Sequence, residues 1–259
     1  MSIVNYNQKH RPIFPGLKIG NGSIGFFVIY AGKRYLVSAT HILGLQRKET
    51  SINQPTNSLD KIGEVVKLIP LSKEEYNPDM FASIVKLDVR ATNELESGLK
   101  PLEILQPQVG MEIIAVGRNS GEVKGEITEI NQSSYFGFYA DGLFRHTAEM
   151  EGGDSGGGIF CVDPPAIVGI NVNPTLGQSA VYGLECLGME GATPLTMDIE
   201  LEIGSKKLKT AEGAKEMDVA PFIKDGRTFV PLRFVSEALG AEVDWTPQEG
   251  KTEKVYVYK

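Results

Sequence analysis

Over most of its length the chain carries its apolar residues in short runs that are interrupted by Gly, Asn, Asp and Pro. This pattern predicts many short strands and few short helices over about residues 20–185, and it favours an all-β barrel or sandwich. Two runs flank the turn Ala31-Gly32-Lys33, which predicts a hairpin. The predicted strands are 24–30, 34–38, 112–116, 122–130, 134–139, 158–162 and 166–172.

The pattern changes after Pro194. Two strand-like segments follow, and then apolar residues at spacings of three and four predict a helix. The segments are 197–203 and 206–210, and the apolar face is Leu232, Val235, Ala238 and Leu239. Pro231 suits the first helical turn, and Gly240 suits the position just past the end. A closing strand, KVYVYK, completes a small α+β unit.

Length and composition fit a globular protein of two domains, which we predict at residues 1–195 and 196–259. The chain has 259 residues, of which 41% are apolar and 23% are charged, and this is ordinary for a folded protein with a core. A net charge of -7 without a basic cluster argues against a nucleic-acid partner, because phosphate contacts need a basic surface.

Targeting, redox and metal signals are sparse. No apolar run approaches the roughly 18 residues that a membrane helix needs, and the first residues have no apolar core after their charges. We therefore expect a cytoplasmic protein, with a secreted or virion-associated location as the alternative.

Cys161 and Cys186 are expected to be reduced, although one disulfide is the other option. No His/Cys cluster predicts a metal, and no cofactor is expected.

The segment EGGDSGGGIF, residues 151–160, surrounds Ser155 with glycines. A serine hydroxyl is a poor nucleophile unless a base removes its proton and donors stabilise the resulting oxyanion. Glycines permit unusual dihedral angles and close approach of a substrate carbonyl. The N–H groups of Gly153 and Ser155 are therefore predicted to point at one oxygen. A histidine, His41, lies in the segment VSATHIL.

These two motifs resemble those of the chymotrypsin-like serine peptidases. GDSGGG resembles the nucleophile motif and VSATHIL the segment around the catalytic histidine, in the family's chain order. NGSIGFFV, VGMEIIAVGRNSGEVKGEI and AIVGINV resemble bacterial members, including the HtrA-type and glutamyl-peptidase-type branches. The resemblance covers roughly residues 18–190. It implies a mainly β fold, a chymotrypsin-like double β-barrel, with Ser155 as nucleophile, His41 as general base, and Gly153 and Ser155 as oxyanion donors.

The catalytic acid is less directly indicated. The family places an Asp at the head of a strand, and the nearest segment here, DMFASIVKL, begins at Asp79. Aligning the end of that strand puts Phe81 at the acid's position, but a bulge or extra residue after Asp79 restores the register. Asp79 is therefore the predicted acid. A Ser-His dyad or another acid remains open, with Asp60 and Asp88 as the next candidates.

The resemblance also assigns residues to the substrate side. Glu149 falls at the base of the pocket, where it favours Lys or Arg substrates, or it simply faces solvent. Asn171 and Asn173 lie in the segment that resembles the other pocket wall, which indicates a polar pocket. His146 is read as a structural or surface histidine, with the pocket lining as the alternative. For Asp154 we expect a non-zymogen arrangement, in which backbone groups or an internal partner hold it.

The last part of the chain resembles the copper amine oxidase N-terminal-like, or stalk, domain. The matching segment is DGRTFVPLRFVSEALGAEVDW, and no histidine lies in this region to bind copper. The resemblance implies an accessory module that attaches the protein to a surface or pairs two copies of it.

Together these features predict a serine endopeptidase, of bacterial or phage type, that acts on protein or peptide substrates without a cofactor. The partner of the accessory domain is either a second copy or a scaffold. The alternative is a catalytically silent or latent peptidase-fold protein with a structural or binding role in an assembly such as a virion.

Overall fold

A computed structural model describes the protein at residues 4–43, 51–54, 60–67, 84–87, 89–135, 138–196, 199–210, 213–239, 241–246 and 254–258. The chain divides into two compact units, Met1–Leu195 and Thr196–Lys259. No helix in these described ranges is both long and apolar enough to cross a membrane.

The first unit is built from short strands and two short helices. In chain order the strands are β1 (Lys18–Ile19), β2 (Gly22–Ser23), β3 (Phe26–Tyr30), β4 (Lys33–Val37), β5 (Ser51–Asn53), β6 (Lys61–Lys67), β7 (Ile84–Leu87), β8 (Glu103–Ile104), β9 (Glu112–Gly117), β10 (Gly121–Tyr135), β11 (Phe138–His146), β12 (Gly158–Cys161), β13 (Ala166–Asn173), β14 (Leu176–Ser179) and β15 (Thr193–Pro194). The helices are α1 (Thr40–Leu43) and α2 (Ala180–Cys186).

One six-stranded sheet contains the N-terminal hairpin, in the order β15-β3-β4-β7-β6-β5. Tyr30 pairs with Lys33, so Ala31 and Gly32 form a two-residue turn, and both have positive φ angles, 47° and 69°. Turns with two positive φ angles match the right-handed twist of the flanking strands. The predicted hairpin is thus present, and β4 leads directly into α1.

The second sheet closes into a barrel. Its order is β12-β9-β10-β11-β14-β13, with β12 also paired to β13, and β8 adds to β13 in parallel. Strand β9 is buried on both faces: Ile113 and Ala115 belong to the core inside the barrel, whereas Ile114 and Val116 belong to the core shared with the first sheet. Burial on both faces explains why β9 reads as a continuous apolar run.

The sequence-based prediction of one strand over 134–139 is wrong. Strand β10 ends at Tyr135 and β11 begins at Phe138, and these two residues pair with each other in antiparallel register. The chain therefore reverses inside the predicted strand. The prediction also missed the strands β1, β2, β5, β6, β8, β14 and β15, and it expected short helices without placing α1 or α2. Six predicted strands remain. Five of them agree with β3, β4, β9, β12 and β13 within about two residues, and the sixth, 122–130, lies within the longer β10.

The tail unit consists of short strands and one helix. The strands are β16 (Ile199–Leu201), β17 (Lys207–Thr210), β18 (Gly213–Glu216), β19 (Phe222–Lys224), β20 (Arg227–Phe229), β21 (Glu242–Thr246) and β22 (Lys254–Tyr258), and the helix is α3 (Leu232–Ala238). They form one three-stranded sheet, β16-β17-β18, and the hairpins β19-β20 and β21-β22.

The helix of the tail unit differs from its prediction in two ways. Pro231 is the N-cap residue rather than part of the first turn, and Gly240 lies outside the described residues. The predicted apolar face is not a buried face: Leu232 and Leu239 are 49% and 41% exposed, and Ser236 is the buried residue of α3. The spacing that predicts a helix does not by itself provide a layer to cover it.

Many other apolar side chains of this unit are exposed as well. We refer to them as the tail apolar set: Ile203, Val219, Phe222, Ile223, Phe229, Val230, Leu232, Leu239, Val255, Tyr256 and Val257. Part of the set lines a groove of about 410 Å³ between the β19-β20 hairpin and the start of α3.

Candidate active site

Ser155 lies in the loop that connects β11 to β12, and the carbonyl groups of this loop are tied to neighbouring segments. Gly153 O accepts a hydrogen bond from the Ser23 hydroxyl (3.1 Å), and Ser155 O accepts one from the Ser23 N–H (3.0 Å). Gly152 O accepts from the Asn119 side chain (2.7 Å). These hydrogen bonds, in which carbonyl groups of the loop are the acceptors, hold the loop in one conformation.

Some N–H groups of the same loop donate to protein carbonyls, and others have no protein acceptor among the described residues. Asp154 N donates to Glu151 O (3.1 Å), and Gly156 N donates to Asn171 O (2.8 Å). The N–H groups of Gly153 and Ser155 donate to no protein acceptor within the described part of the chain. Gly153 has a φ of +100°, a backbone conformation that residues with a side chain rarely adopt. The two predicted oxyanion donors are thus the two available N–H groups that flank Asp154.

The carboxylate of Asp154 is fully buried and accepts several hydrogen bonds from within the protein. Oδ1 accepts from the backbone N–H of Asn119 (2.8 Å) and, at 3.4 Å, from that of Ser120. Oδ2 accepts from the Ser120 hydroxyl and from the Glu151 N–H (2.9 Å). The expectation that backbone groups and an internal partner hold Asp154 agrees with this geometry. The sequence reasoning did not identify Ser120, Asn119 or Ser23 as the residues that hold the loop.

The chain segments of Ser155 and His41 lie against each other. A Cβ atom added to Gly156 would overlap the Ser38 hydroxyl and lie 3.0 Å from the nitrogen of Ala39, and both residues come just before His41. Gly22 has a similar position, because a Cβ there would lie 2.5 Å from Ser155 O and overlap Ile42. Only glycine permits backbones to approach this closely.

The two side chains themselves are accessible to different degrees. His41 lies in α1 and is exposed, and Ser155 is half-buried. The Ser155 hydroxyl donates to Val172 O at 3.4 Å, a long hydrogen bond. The fold thus brings a hydroxyl and an imidazole to adjoining segments of the chain.

Of the three candidate acids, Asp60 lies among the described residues. Asp79 and Asp88 lie outside the described residues. Asp60 forms an ion pair with Lys9, with 2.6 Å between Nζ and Oδ1, at a partly exposed position. Strand β7, which follows Asp79 in the chain, begins at Ile84 opposite Val37, and Val37 is the last residue of β4 before α1.

Two segments run side by side next to Ser155, where the sequence predicts the substrate pocket. Met150 N donates to Pro174 O and His146 N to Thr175 O, both at 3.0 Å. Glu149 is exposed. Asn171 is only 1% exposed: its side-chain nitrogen lies 3.4 Å from Val116 O, and its Oδ1 has no hydrogen-bond partner among the described residues. Asn171 therefore lies behind the serine loop.

His146 is a buried histidine of the barrel rather than a residue of an open pocket. It is 3% exposed, its ring lies 6.2 Å from that of Phe144, and neither ring nitrogen makes a hydrogen bond of good geometry within the described residues. Burial lowers its pKa to about 4, and polar backbone groups of Ala148 and Leu176 offset only part of that effect. The imidazole is therefore neutral at pH 7.

Other chemistry is limited in the described part of the chain. Cys161 and Cys186 are both free thiols, and burial raises the pKa of Cys161. The described residues contain no group of three or more His, Cys, Asp or Glu side chains that is arranged to hold a metal ion. A cleft of about 750 Å³ lies along β9 and β10, and none of the candidate site residues lines it.

Solved structures of several serine proteases are similar to this chain. One is a glutamic acid-specific serine protease that uses a histidine triad in substrate binding, with 21% identity, coverage of 71% of this chain and 100% of that one, and a TM-score of 0.56. Another is the alpha-lytic protease homolog N4, with 20% identity, 70% and 98% coverage, and a TM-score of 0.54. A third is Protease A of Thermobifida fusca, with 21% identity, 71% and 99% coverage, and a TM-score of 0.52.

The tail gives a separate match. Residues 195–256 match the family model for the copper amine oxidase N-terminal domain, which confirms the resemblance seen in the sequence. No curated protein matches the chain. The similarity to the solved structures establishes the fold and confirms the predicted fold class. The chain thus combines a chymotrypsin-like serine-protease fold with a segment of copper amine oxidase N-terminal type.

Proposed function

We propose that the first unit is a serine endopeptidase. The observation that carries the proposal is the hydrogen bonding of the Ser155 loop. The carbonyl groups of Gly152, Gly153 and Ser155 are engaged, whereas the N–H groups of Gly153 and Ser155 donate to no acceptor among the described residues. Donors that are fixed before the reaction and aimed at a developing charge are the main source of transition-state stabilisation in acyl transfer.

In this proposal Ser155 attacks the carbonyl carbon of the scissile peptide bond. His41 takes the hydroxyl proton and returns it to the leaving amine. The two available N–H groups donate to the oxyanion of the tetrahedral intermediate, and water then hydrolyses the acyl-enzyme. Close packing of Gly156 on Ser38 and Ala39 supports the pairing of nucleophile and base, because it fixes the two segments relative to each other.

Asp79 is proposed as the acid that orients His41 and stabilises the imidazolium. Support comes from the register of β7, which begins opposite Val37 in the strand that leads to His41. Asp60 is the weaker candidate, since it already forms an ion pair with Lys9.

The arrangement around Asp154 supports an enzyme that is active without a newly cleaved N-terminus. Its carboxylate takes its hydrogen bonds from Asn119, Ser120 and Glu151, so the loop conformation does not depend on an additional cationic partner. A buried carboxylate without such donors would be strongly unfavourable.

Substrate preference is proposed from the residues beside the serine loop. Glu149 favours a basic residue before the scissile bond, because opposite charges attract across the pocket. The glutamate preference and histidine triad of the similar protease do not carry over to this chain. The sequence has three histidines; His10 contacts Asn5 and Phe14 near the N-terminus, and His41 is the proposed base.

The tail unit is proposed to attach or pair the peptidase. The tail apolar set supports a binding role, since contiguous exposed apolar surface commonly marks an interaction site. Analytical ultracentrifugation of the full chain, with Phe222→Ser and Phe229→Ser as variants, separates pairing from attachment. A concentration-dependent dimer that both variants weaken indicates pairing, and a monomer at all concentrations indicates attachment to another surface.

The catalytic proposal is tested with a fluorophosphonate probe on the purified full chain. We expect rapid labelling of the wild type, none in Ser155→Ala, and a loss of about four orders of magnitude in rate in Asp79→Ala, since an unoriented histidine is a poor base. Ser97→Ala, at an exposed serine, is the matched control and should label normally.

Each other outcome has a defined meaning. Strong labelling of Asp79→Ala would move the acid to another residue or indicate a Ser-His dyad. No labelling of a folded wild type would contradict the enzyme proposal and favour the alternative, a silent or latent peptidase-fold protein in an assembly.

A further inference from the structure

Arg118 lies beside the Ser155 loop and has no role in the proposed chemistry. It is the first residue of the three-residue turn between β9 and β10, where Gly117 pairs with Gly121. Its backbone is fixed on both sides: the N–H donates to the Ser23 hydroxyl (3.0 Å), and the carbonyl accepts from the Asn7 side chain (3.4 Å). The same Ser23 hydroxyl donates to Gly153 O.

The guanidinium group packs directly on Gly153. A Cβ atom added there would lie 2.6 Å from Nη2 and 2.7 Å from Nε of Arg118. The positive charge therefore lies beside the peptide group that carries a proposed oxyanion donor. Any side chain at position 153 would displace it.

The charge of Arg118 has no counter-ion in the described part of the chain. No carboxylate there lies within 4.0 Å of the guanidinium, and no described group accepts a hydrogen bond from it. Its Nε is buried without a partner. The other two residues of the turn are both engaged, Asn119 with Gly152 and Ser120 with Asp154. A partly buried, unpaired guanidinium is costly unless a ligand supplies the acceptor.

The position of Arg118 relative to Ser155 indicates which part of a substrate it meets. Val172 and the pocket segments lie on one side of the serine hydroxyl, and they are assigned to the residues before the scissile bond. The guanidinium of Arg118 packs instead on Gly153, and Ser23 and Asn7 hold its backbone. If the pocket segments take the residues before the scissile bond, the half of the peptide left to meet Arg118 is the leaving-group half.

We propose that Arg118 binds a substrate carboxylate on the leaving-group side, namely an Asp or Glu side chain in the first or second position after the scissile bond. The inference rests on the proposed function. A guanidinium fork matches a carboxylate in geometry as well as charge, so the preference requires the arginine and not merely a cation.

The test first defines cleavage sites with a peptide library read by mass spectrometry. Matched internally quenched peptides then carry Glu or Gln in the first or second position after the bond. We expect the wild type to prefer Glu by about tenfold in kcat/KM, the magnitude of a charge-assisted hydrogen bond. Arg118→Gln should lose this ratio, Arg118→Lys should keep part of it, and Arg118→Glu should prefer Lys instead.

Arg145→Gln is the matched control, because it removes the same charge from an exposed side chain that pairs with Glu129. It should keep the wild-type ratio. The preference of the wild type should also fall with added salt. No preference in the wild type, or a preference that survives Arg118→Gln, would overturn the proposal while leaving the endopeptidase proposal intact.

A binding measurement separates the two proposals if the wild type cleaves nothing. Fluorescein-labelled forms of the same Glu and Gln peptides are bound to Ser155→Ala, with and without Arg118→Gln, and followed by anisotropy. Tighter binding of the Glu peptides that depends on Arg118 would support a carboxylate site in a non-catalytic protein. Equal binding of both peptides, or none, would overturn the inference.

Discussion

Several phenylalanine side chains are buried in the first unit, whereas two in the tail unit are partly exposed. Phe26, Phe27, Phe144 and Phe160 are completely buried in the first unit. In the tail unit Phe222 and Phe229 are 46% and 44% exposed, although their rings stack at 5.1 Å. The first unit has two large sheets that share extended buried cores, whereas the β19-β20 hairpin has two strands. Apolar content alone therefore does not make a core, because burial needs a second layer.

The largest expected effect comes from removing one phenylalanine in each unit. Phe160→Ala should destabilise the first unit by about 3–5 kcal/mol, the usual result of a large cavity in a packed core. Phe229→Ala should destabilise the tail unit by less than about 1 kcal/mol, since half of the ring is already in water. Urea unfolding of the full chain measures both, with far-UV circular dichroism for the first unit.

Trp245 is the chain's single tryptophan, so its fluorescence reports on the tail unit. Similar losses for the two variants would contradict the difference in packing between the units.

The two units should also differ in how their stability depends on pH, because of His146 in the first unit. Its folded pKa is about 4, below the value of about 6.5 in an unfolded chain. Between these values the unfolded state binds a proton that the folded state does not, so stability falls as pH decreases from 6.5 to 4. The contribution is about 3 kcal/mol. Urea midpoints between pH 4 and 7.5 should show it for the wild type.

His146→Leu should remove this component from the first unit and leave the titration of the carboxylates in place. The tail unit has no histidine, so its Trp245 transition should lack the component in both proteins. An unchanged pH dependence in His146→Leu would show that the imidazole is accessible to protons in the folded state.

Removing a buried amide side chain from the first unit should lower the free energy of unfolding more than removing any polar pair from the tail unit. Asn93 is 2% exposed, and its side chain makes hydrogen bonds of 2.8 Å to both backbone groups of Phe27 and one of 3.2 Å to Leu195 O. Asn93→Ala leaves these groups unpaired, so we expect a loss of about 2 kcal/mol by urea unfolding. Asn93→Asp keeps the acceptor and loses the donor, and an effect near zero in both variants would indicate that water replaces the amide.

The smallest expected effect is in the tail unit. Arg233 and Glu237 form an ion pair one helical turn apart, at 3.7 Å, with about half of each side chain exposed. Arg233→Ala should change the stability of the tail unit by no more than about 0.5 kcal/mol, because solvent and salt screen such pairs. The Trp245 transition in urea measures it at low and high salt. A loss above about 1 kcal/mol would show that α3 depends on this pair.

Much of the fold was predictable because its signals are local. The Ala31-Gly32 turn, strand β13 and helix α3 each follow from a short window of sequence. The failed strand at 134–139 shows the limit of this reasoning, since β10 and β11 continue across it with the chain reversed. An isolated glycine such as Gly137 within an aromatic run is a weaker turn signal than a pair of turn residues, so the segments on either side of it resemble one strand.

The candidate site was predictable to the same degree. The residue types and order of His41, Gly153 and Ser155 identified the glycine-rich loop and the segment that carries the histidine, although not that this segment is helical. The partners of the loop were not predictable, because Ser23, Asn119 and Ser120 are distant in sequence and have no motif of their own. Their positions depend on which strands pair, and a turn between β9 and β10 reaches Asp154 only in the closed barrel.

By itself the sequence determined the strand-rich first unit, the serine loop with its glycines and the type of the tail domain. These depend on residue spacing and on backbone freedom within a few residues. Only the tertiary structure decided two absences among the described residues: the loop N–H groups that lack an acceptor and the missing counter-ion of Arg118 beside Gly153. It also decided that His146 is buried and neutral and that Phe222 and Phe229 are exposed. Those properties depend on contacts between residues far apart in the chain, and hydrogen-bond satisfaction and burial are properties of such contacts rather than of the residues alone.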